Sequence, residues 1–205
     1  WQALNSITDG GYNVSIGSRS GEDLTTGDFN VFIGDYAGHA IVDGDRCIAI
    51  GHSALAANVT SAGDGTVAIG YLALTALTSG AGNTAVGYQA LDAEDTGGNS
   101  TAVGYQALSA QNNDTGHNTA VGWTAGDLIV GGYSNVLIGS EAGTTGTNDL
   151  VGGYQNVLIG QAVAASSASA VNQIVIGRGA VGTGNNEIAL GNTSVSAIKA
   201  QVTSI

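Results

Sequence analysis

TAVGYQAL at Thr84–Leu91 is repeated letter for letter at Thr101–Leu108, seventeen residues on, and TAVGW opens the phrase a third time at Thr119–Trp123. Working outward from it, a short apolar stretch ending in glycine recurs as VSIG, VFIG, IAIG, VAIG, TAVG (three times), VLIG (twice), IVIG and IALG. The eleven closing glycines are Gly17, Gly34, Gly51, Gly70, Gly87, Gly104, Gly122, Gly139, Gly160, Gly177 and Gly191, at intervals of 17, 17, 19, 17, 17, 18, 17, 21, 17 and 14 residues. The period is too short for helical repeats, and the Val, Ile and Thr before each glycine favour strands. An all-β fold is therefore expected, a parallel β-solenoid of about eleven rungs. Each rung would hold a short strand, a glycine turn, a second short segment and a loop of variable length.

Composition agrees with a thin, closely stacked structure. The 205 residues include 34 Gly, no Pro, no Met, seven Tyr and two Phe. Small side chains let backbones approach but do not fill a thick core. Four Lys plus Arg stand against sixteen Asp plus Glu, a net charge of −12. That field repels polyanions, and no basic stripe offsets it, so nucleic acid is not an expected partner. No stretch approaches the ~20 apolar residues of a membrane span, so direct membrane insertion is not expected either. Cys47 is the single cysteine, which excludes an internal disulfide and a cysteine-rich zinc site. With no Met, and with WQALNS at Trp1–Ser6 overlaying YQALDA at Tyr88–Ala93, the chain reads as a piece of a longer product that held another repeat.

Each turn glycine has a physical reason. A rung of about seventeen residues must fold back sharply, and Gly enters positive φ without a Cβ penalty, so Ala is expected to cost stability at most of the eleven sites. The loops, such as 91–100 and 109–118, are rich in Asp, Asn, Gly and Thr, which form turns and absorb length variation.

Strand alternation divides each tripeptide before the glycine into two faces. The first column (Val14, Val31, Ile48, Val67, Thr84, Thr101, Thr119, Val136, Val157, Ile174, Ile188) and the third (Ile16, Ile33, Ile50, Ile69, Val86, Val103, Val121, Ile138, Ile159, Ile176, Leu190) share one face and are expected to form the inner core. The middle column (Ser15, Phe32, Ala49, Ala68, Ala85, Ala102, Ala120, Leu137, Leu158, Val175, Ala189) would then point outward without a charge anywhere. An apolar outward stripe predicts a partner surface, hence a homo-oligomer packed on the middle column.

These phrases resemble the head repeats of trimeric autotransporter adhesins of the YadA type. The longer TAVGYQAL form with its TGxN loop is similar to the version found in bacteriophage tail fibres and tailspikes. The resemblance covers about Asn13 to Asn192. It implies a left-handed parallel β-roll with three chains around one axis, a homotrimer. The usual interval here is seventeen, whereas adhesin heads typically use fourteen, which favours the fibre version. The run from Ile174 to Ile205 resembles the stretch that precedes an endosialidase-type intramolecular chaperone, although no chaperone motif is present. Residues 1–192 are thus read as the repeat domain and 193–205 as a connector towards a missing chaperone module.

Motifs that would carry chemistry are weak. Gly177-Arg178-Gly179-Ala180-Val181-Gly182 matches GxGxxG after a strand, yet Thr183, Gly184, Asn185 and Asn186 break the helix that a dinucleotide site needs. Acidic groups occur at Glu22-Asp23, Asp43/Asp45, Asp92/Glu94/Asp95 and Asp149, but glycan hydrolysis needs two carboxyls facing across a cleft. The same acids with Asn112, Asn113 and Asp114 could hold a loop-bound calcium ion, without EF-hand or nonapeptide spacing. His39, His52 and His117 lie in different rungs with no metal-ligand spacing, and no Ser or Cys nucleophile has a base beside it. No catalytic residue, metal or cofactor is assigned, and the chain is not read as an enzyme.

Tyr71, Tyr88, Tyr105 and Trp123 follow the turn glycine on four consecutive rungs. Stacked equivalent residues form a ladder, and an exposed ladder is a candidate site for sugar rings. The expectation is a trimeric phage tail fibre or tailspike segment, extracellular on the virion. It would display recognition sites for a bacterial cell-surface glycan or outer-membrane receptor. The alternatives are the head of a bacterial surface adhesin that binds host matrix or cells and, less favoured, a polysaccharide depolymerase.

Overall fold

The computed structural model describes residues 2–60 and 63–197. Trp1 and residues 198–205 of the expected connector lie outside the described residues. Eleven three-residue strands follow one another: β1 (Val14–Ile16), β2 (Val31–Ile33), β3 (Ile48–Ile50), β4 (Val67–Ile69), β5 (Thr84–Val86), β6 (Thr101–Val103), β7 (Thr119–Val121), β8 (Val136–Ile138), β9 (Val157–Ile159), β10 (Ile174–Ile176) and β11 (Ile188–Leu190). They form a single parallel sheet in sequence order, each strand paired only with its sequence neighbours. The register matches the repeat, Thr84 opposite Thr101 and Thr101 opposite Thr119. The architecture is a parallel β-solenoid, and rungs are numbered below by their strands.

The rest of each rung is turns rather than a second strand, held by backbone hydrogen bonds to the neighbouring rungs. Gln106 N donates to Tyr88 O at 2.8 Å and Leu108 N to Ala125 O at 3.0 Å. The residue two places before every strand lies in the left-handed region, with φ between +51° and +73° from Tyr12 to Asn186. Leu4 occupies the same repeat position as Leu74: its φ is +49°, and its N donates to Ser20 O at 3.1 Å as Leu74 N does to Ala90 O.

The strand faces are the reverse of the expectation. The middle column points into the roll and is fully buried from Phe32 to Val175. The first and third columns, expected to form the inner core, point outward; Val14, Ile16, Ile138, Ile176, Ile188 and Leu190 are all exposed. The physical reason is width. A roll one rung across has room for Ala at most inward positions, so the bulky β-branched residues must face out.

Interior volume is conserved by exchange between two columns. Where the middle residue is Ala on rungs three to six, Leu55, Leu74, Leu91 and Leu108 fill the corner four residues after the turn glycine. On rung two the middle residue is Phe32, and a methyl group at the corner residues Gly21 or Gly38 would lie 2.7 or 2.6 Å from its ring. Leu137 on rung eight likewise fills the space beside Gly126 and Gly143. Constant volume at close packing is what the core requires.

A buried polar column precedes the strands. Asn30, Asn83, Asn118, Asn135 and Asn156 are inaccessible to solvent. Asn118 Nδ2 donates to Gly132 O at 2.7 Å, and its Oδ1 accepts the Asn135 backbone N–H at 2.9 Å. Asn156 repeats the scheme with Ala170 O and the Gln173 N–H. Each amide therefore ties its own strand to the next rung.

Inside rungs five and six the corner that Leu24, Ile41, Leu77 and Ile129 fill on other rungs is taken by Glu94 and Gln111, both buried. Glu94 Oε1 accepts the Gly97 N–H at 2.6 Å and the Thr96 N–H at 3.2 Å. Gln111 Nε2 donates to Glu94 Oε2 at 2.7 Å and to Ser100 Oγ at 2.9 Å, and Gln111 Oε1 accepts from Asn118 Nδ2 at 2.8 Å. Because truncating one member strands the others, Glu94→Ala is expected to cost about 3 kcal/mol. The double variant Glu94→Leu/Gln111→Leu should recover about half of that or more, read as the urea midpoint of each protein.

Candidate functional site

The outward columns make two ridges along the whole sheet with no charged residue in either, apolar but for Thr84, Thr101 and Thr119 in the first. At the ~4.8 Å spacing of strands in a sheet, eleven rungs extend roughly 50 Å. A continuous apolar face of this length is larger than soluble monomers ordinarily leave open.

Beside the third column runs the aromatic ladder. Tyr71 and Tyr88 stack with ring centroids 5.2 Å apart and planes 13° from parallel, and Tyr88 and Tyr105 at 5.0 Å and 6°. The ladder starts one rung earlier than the sequence suggested, because His52 stacks on Tyr71 at 5.5 Å. His52 also follows its turn glycine, so its position was the available signal. Trp123 is exposed on the next rung, beyond the stacked run. Since the tyrosines cover one another's faces, they offer ring edges and hydroxyls to solvent rather than free faces.

Two further stacks lie on the other side of the strands, before them in sequence: Tyr12 on Phe29 at 4.9 Å and 3°, and Tyr133 on Tyr154 at 4.9 Å and 1°. Sequence reasoning did not single these out, although VGGYSNVLIG at 130–139 and VGGYQNVLIG at 151–160 are a second near-identical phrase.

Several of the acidic groups are occupied locally. Asp28, Asp45 and Asp64 each accept a backbone N–H of the preceding rung, at 2.6, 2.7 and 2.9 Å. Asn113 Oδ1 accepts from Thr115 and Gly116, and Asp149 Oδ1 from Gly146. Glu94 is committed to the interior. Burial raises the Asp92 and Asp127 carboxyls above the usual range, and one buried oxygen of each has no hydrogen-bond partner. Among the described residues, no three His, Cys, Asp or Glu side chains converge on a metal position.

His39 and His52 flank Tyr36, with centroids 5.2 and 6.2 Å from its ring. His39 Nε2 is 3.2 Å from Glu22 Oε2, and His52 Nε2 is 3.8 Å from Asp35 Oδ2. Cys47 stands apart from them in the core, where burial pushes its thiol up to about 11. The thiolate is the reactive form. A colorimetric disulfide reagent at pH 8 should therefore leave native Cys47 essentially unmodified and titrate it fully in 6 M guanidinium; rapid native reaction would contradict this burial.

No helix follows the Gly177–Gly182 stretch, which turns directly into a bridge from Val181 to Ala164 on the preceding rung. The glycine pattern there serves the turn. Compared with protein-family models, curated proteins and solved structures, the chain matches none of them.

Proposed function

We propose that the chain is a non-enzymatic segment of a homotrimeric phage tail fibre or tailspike that spaces and displays host-recognition surface. The observation that carries this reading is the uncharged and largely apolar outer face of β1 to β11, which a second and third copy would cover. Stacked rungs give a stiff rod, and the polar loops that vary in length between rungs supply surface for a bacterial glycan or outer-membrane receptor. Three identical faces make weak individual contacts useful through avidity. The expected solution mass by light scattering is three times the 20.1 kDa of one chain. A folded monomer at micromolar concentration would defeat the assembly. Binding of the labelled fragment to bacterial envelopes rather than to collagen-type proteins separates a fibre from an adhesin head, and release of reducing sugar would reveal a depolymerase.

A further inference from the structure

We infer that the roll opens as two cooperative units, rungs one to three and rungs four to ten, which part at the junction between Thr66 and Val67. The inference concerns a single chain and does not depend on what covers its outer face.

In a solenoid each rung touches only its neighbours, so cooperativity is set by the ties that cross from one rung to the next. Each rung is taken here from its strand to the residue before the next strand, so rung three ends at Thr66 and rung four at Asn83. Backbone bonds cross this junction as they do the others: β3 pairs β4 in register, Gly70 N donates to Ile50 O at 2.8 Å and Leu55 N to Ala73 O at 3.0 Å. Side chains do not cross it in the same way.

At every other junction from rung one to rung ten, a buried or part-buried side chain makes a hydrogen bond of 3.0 Å or less to the neighbouring rung. Most of these come from the column of residues that precede the strands. Asn30 Oδ1 accepts the Cys47 N–H at 2.8 Å, and between rungs two and three Asp64 Oδ1 accepts the Asp45 N–H at 2.9 Å. From Asn83 the column is unbroken. Asn83 Oδ1 accepts the Ser100 N–H at 2.9 Å, and Ser100 Oγ accepts the Asn118 N–H at 3.3 Å. Asn135 Nδ2 then donates to Asn118 Oδ1 at 3.1 Å and Asn156 Nδ2 to Asn135 Oδ1 at 3.0 Å. Asn156 Oδ1 accepts the Gln173 N–H at 3.0 Å, and Gln173 Nε2 reaches Gly184 O at 2.8 Å. The buried Glu94 and Gln111 join the run through Ser100 and Asn118. Amides in such a chain polarise one another, so the run is stronger than its separate bonds.

Rung three closes on Thr66 where Asn stands elsewhere, and Thr66 Oγ1 is turned back onto Gly63 O of its own rung at 2.8 Å. Among the described residues, one side-chain hydrogen bond crosses to rung four, from the exposed Thr60 Oγ1 to Thr78 O at 3.4 Å. The His52–Tyr71 stack also crosses, at the surface. A stack of repeats with one weak interface opens there first, and the shorter side is released because its release exposes less buried surface. The roll therefore has a built-in breakpoint that leaves the amide run of rungs four to ten intact.

Hydrogen exchange of the full chain in its native assembly, read by mass spectrometry in rising sub-denaturing urea, tests the junction. Amides of rungs one to three should exchange together, about tenfold or more faster than those of rungs four to ten, with the step at Thr66. Thr66→Asn would offer Oδ1 to the Asn83 N–H and should reduce the step to about threefold or less. Asn156→Thr removes both side-chain bonds that cross from rung eight to rung nine, and should create a second step there. One common rate from rung one to rung ten, or a step at another junction of the unaltered chain, would overturn the two units. A step that Thr66→Asn leaves unchanged, or a folded Asn156→Thr chain with no second step, would overturn them too. Thr66→Asn removes no bond between rungs, so it decides the question even where Asn156→Thr does not fold.

Discussion

Gly139→Ala is expected to lose about 3 kcal/mol or more of stability, whereas Gly131→Ala, eight residues earlier, should stay within about 0.5 kcal/mol of the parent. The two glycines differ in what surrounds them. Gly139 closes rung eight with φ +131°, and a methyl group there would lie 2.5 Å from the carbonyl oxygen of Gly160 and 2.6 Å from its carbon. Backbone of the next rung occupies that space, so relief requires separating β8 from β9. Gly131 is not held at positive φ, and a methyl group on it would meet nothing within 4 Å. The same collision recurs at Gly34 against Gly51, 2.6 Å from the carbonyl oxygen. The turn glycine is therefore fixed by the rung above as much as by its own φ. Equilibrium denaturation of both variants measures the difference, and equal midpoints would contradict the stacking geometry. In a repeat structure each rung contacts only its neighbours, so the damage should first appear as local opening around rungs eight and nine in hydrogen exchange.

How much of this was legible in the sequence depends on which column is read. The spacing of the eleven glycines predicted the strand positions and their pairing, because a repeat that stacks on itself must place equivalent residues opposite one another. The faces were misread because both are apolar. Alternation in a three-residue strand gives two faces but does not say which is inside, and Ala49, Ala68 and Ala85 look too small for a core until the roll is seen to be one rung wide. The size exchange between Phe32 and its Gly21 and Gly38 neighbours was on the page as paired departures from the consensus, but it takes three dimensions to show that they touch. The Asn column is visible in the sequence as Asn before Val or Thr at six strands, where Asn reads equally well as a turn former. Its role appears only when Nδ2 and Oδ1 find partners one rung on. Glu94 stands in the sequence among the other loop acids, and loop composition hides that it points inward. The tyrosine ladder was found from position alone; that its rings cover one another could not be.

Two adjacent residues of β8 should answer the orientation question with opposite outcomes. Leu137→Asp places a carboxylate where the wild-type side chain is fully buried against Gly126 and Gly143. With no room and no partner, the cost is about 4 kcal/mol or more, and the chain should lose its β signal in circular dichroism. Ile138→Asp puts the same group on the outer face, where the isoleucine is 39 % exposed in a single chain. Its effect on the fold of one chain should be about 1 kcal/mol or less, the span of strand propensities at an open site. Its effect on assembly should be large, because each copy would bury a charge in an apolar contact, and the mass should fall towards 20.1 kDa. If the middle column were the inter-chain seam, the results would exchange places: Leu137→Asp would dissociate a folded chain and Ile138→Asp would unfold it. An Ile138→Asp protein that keeps its oligomeric mass and its fold would show that the outer ridges are not where copies meet, and the fibre reading would lose the observation that carries it.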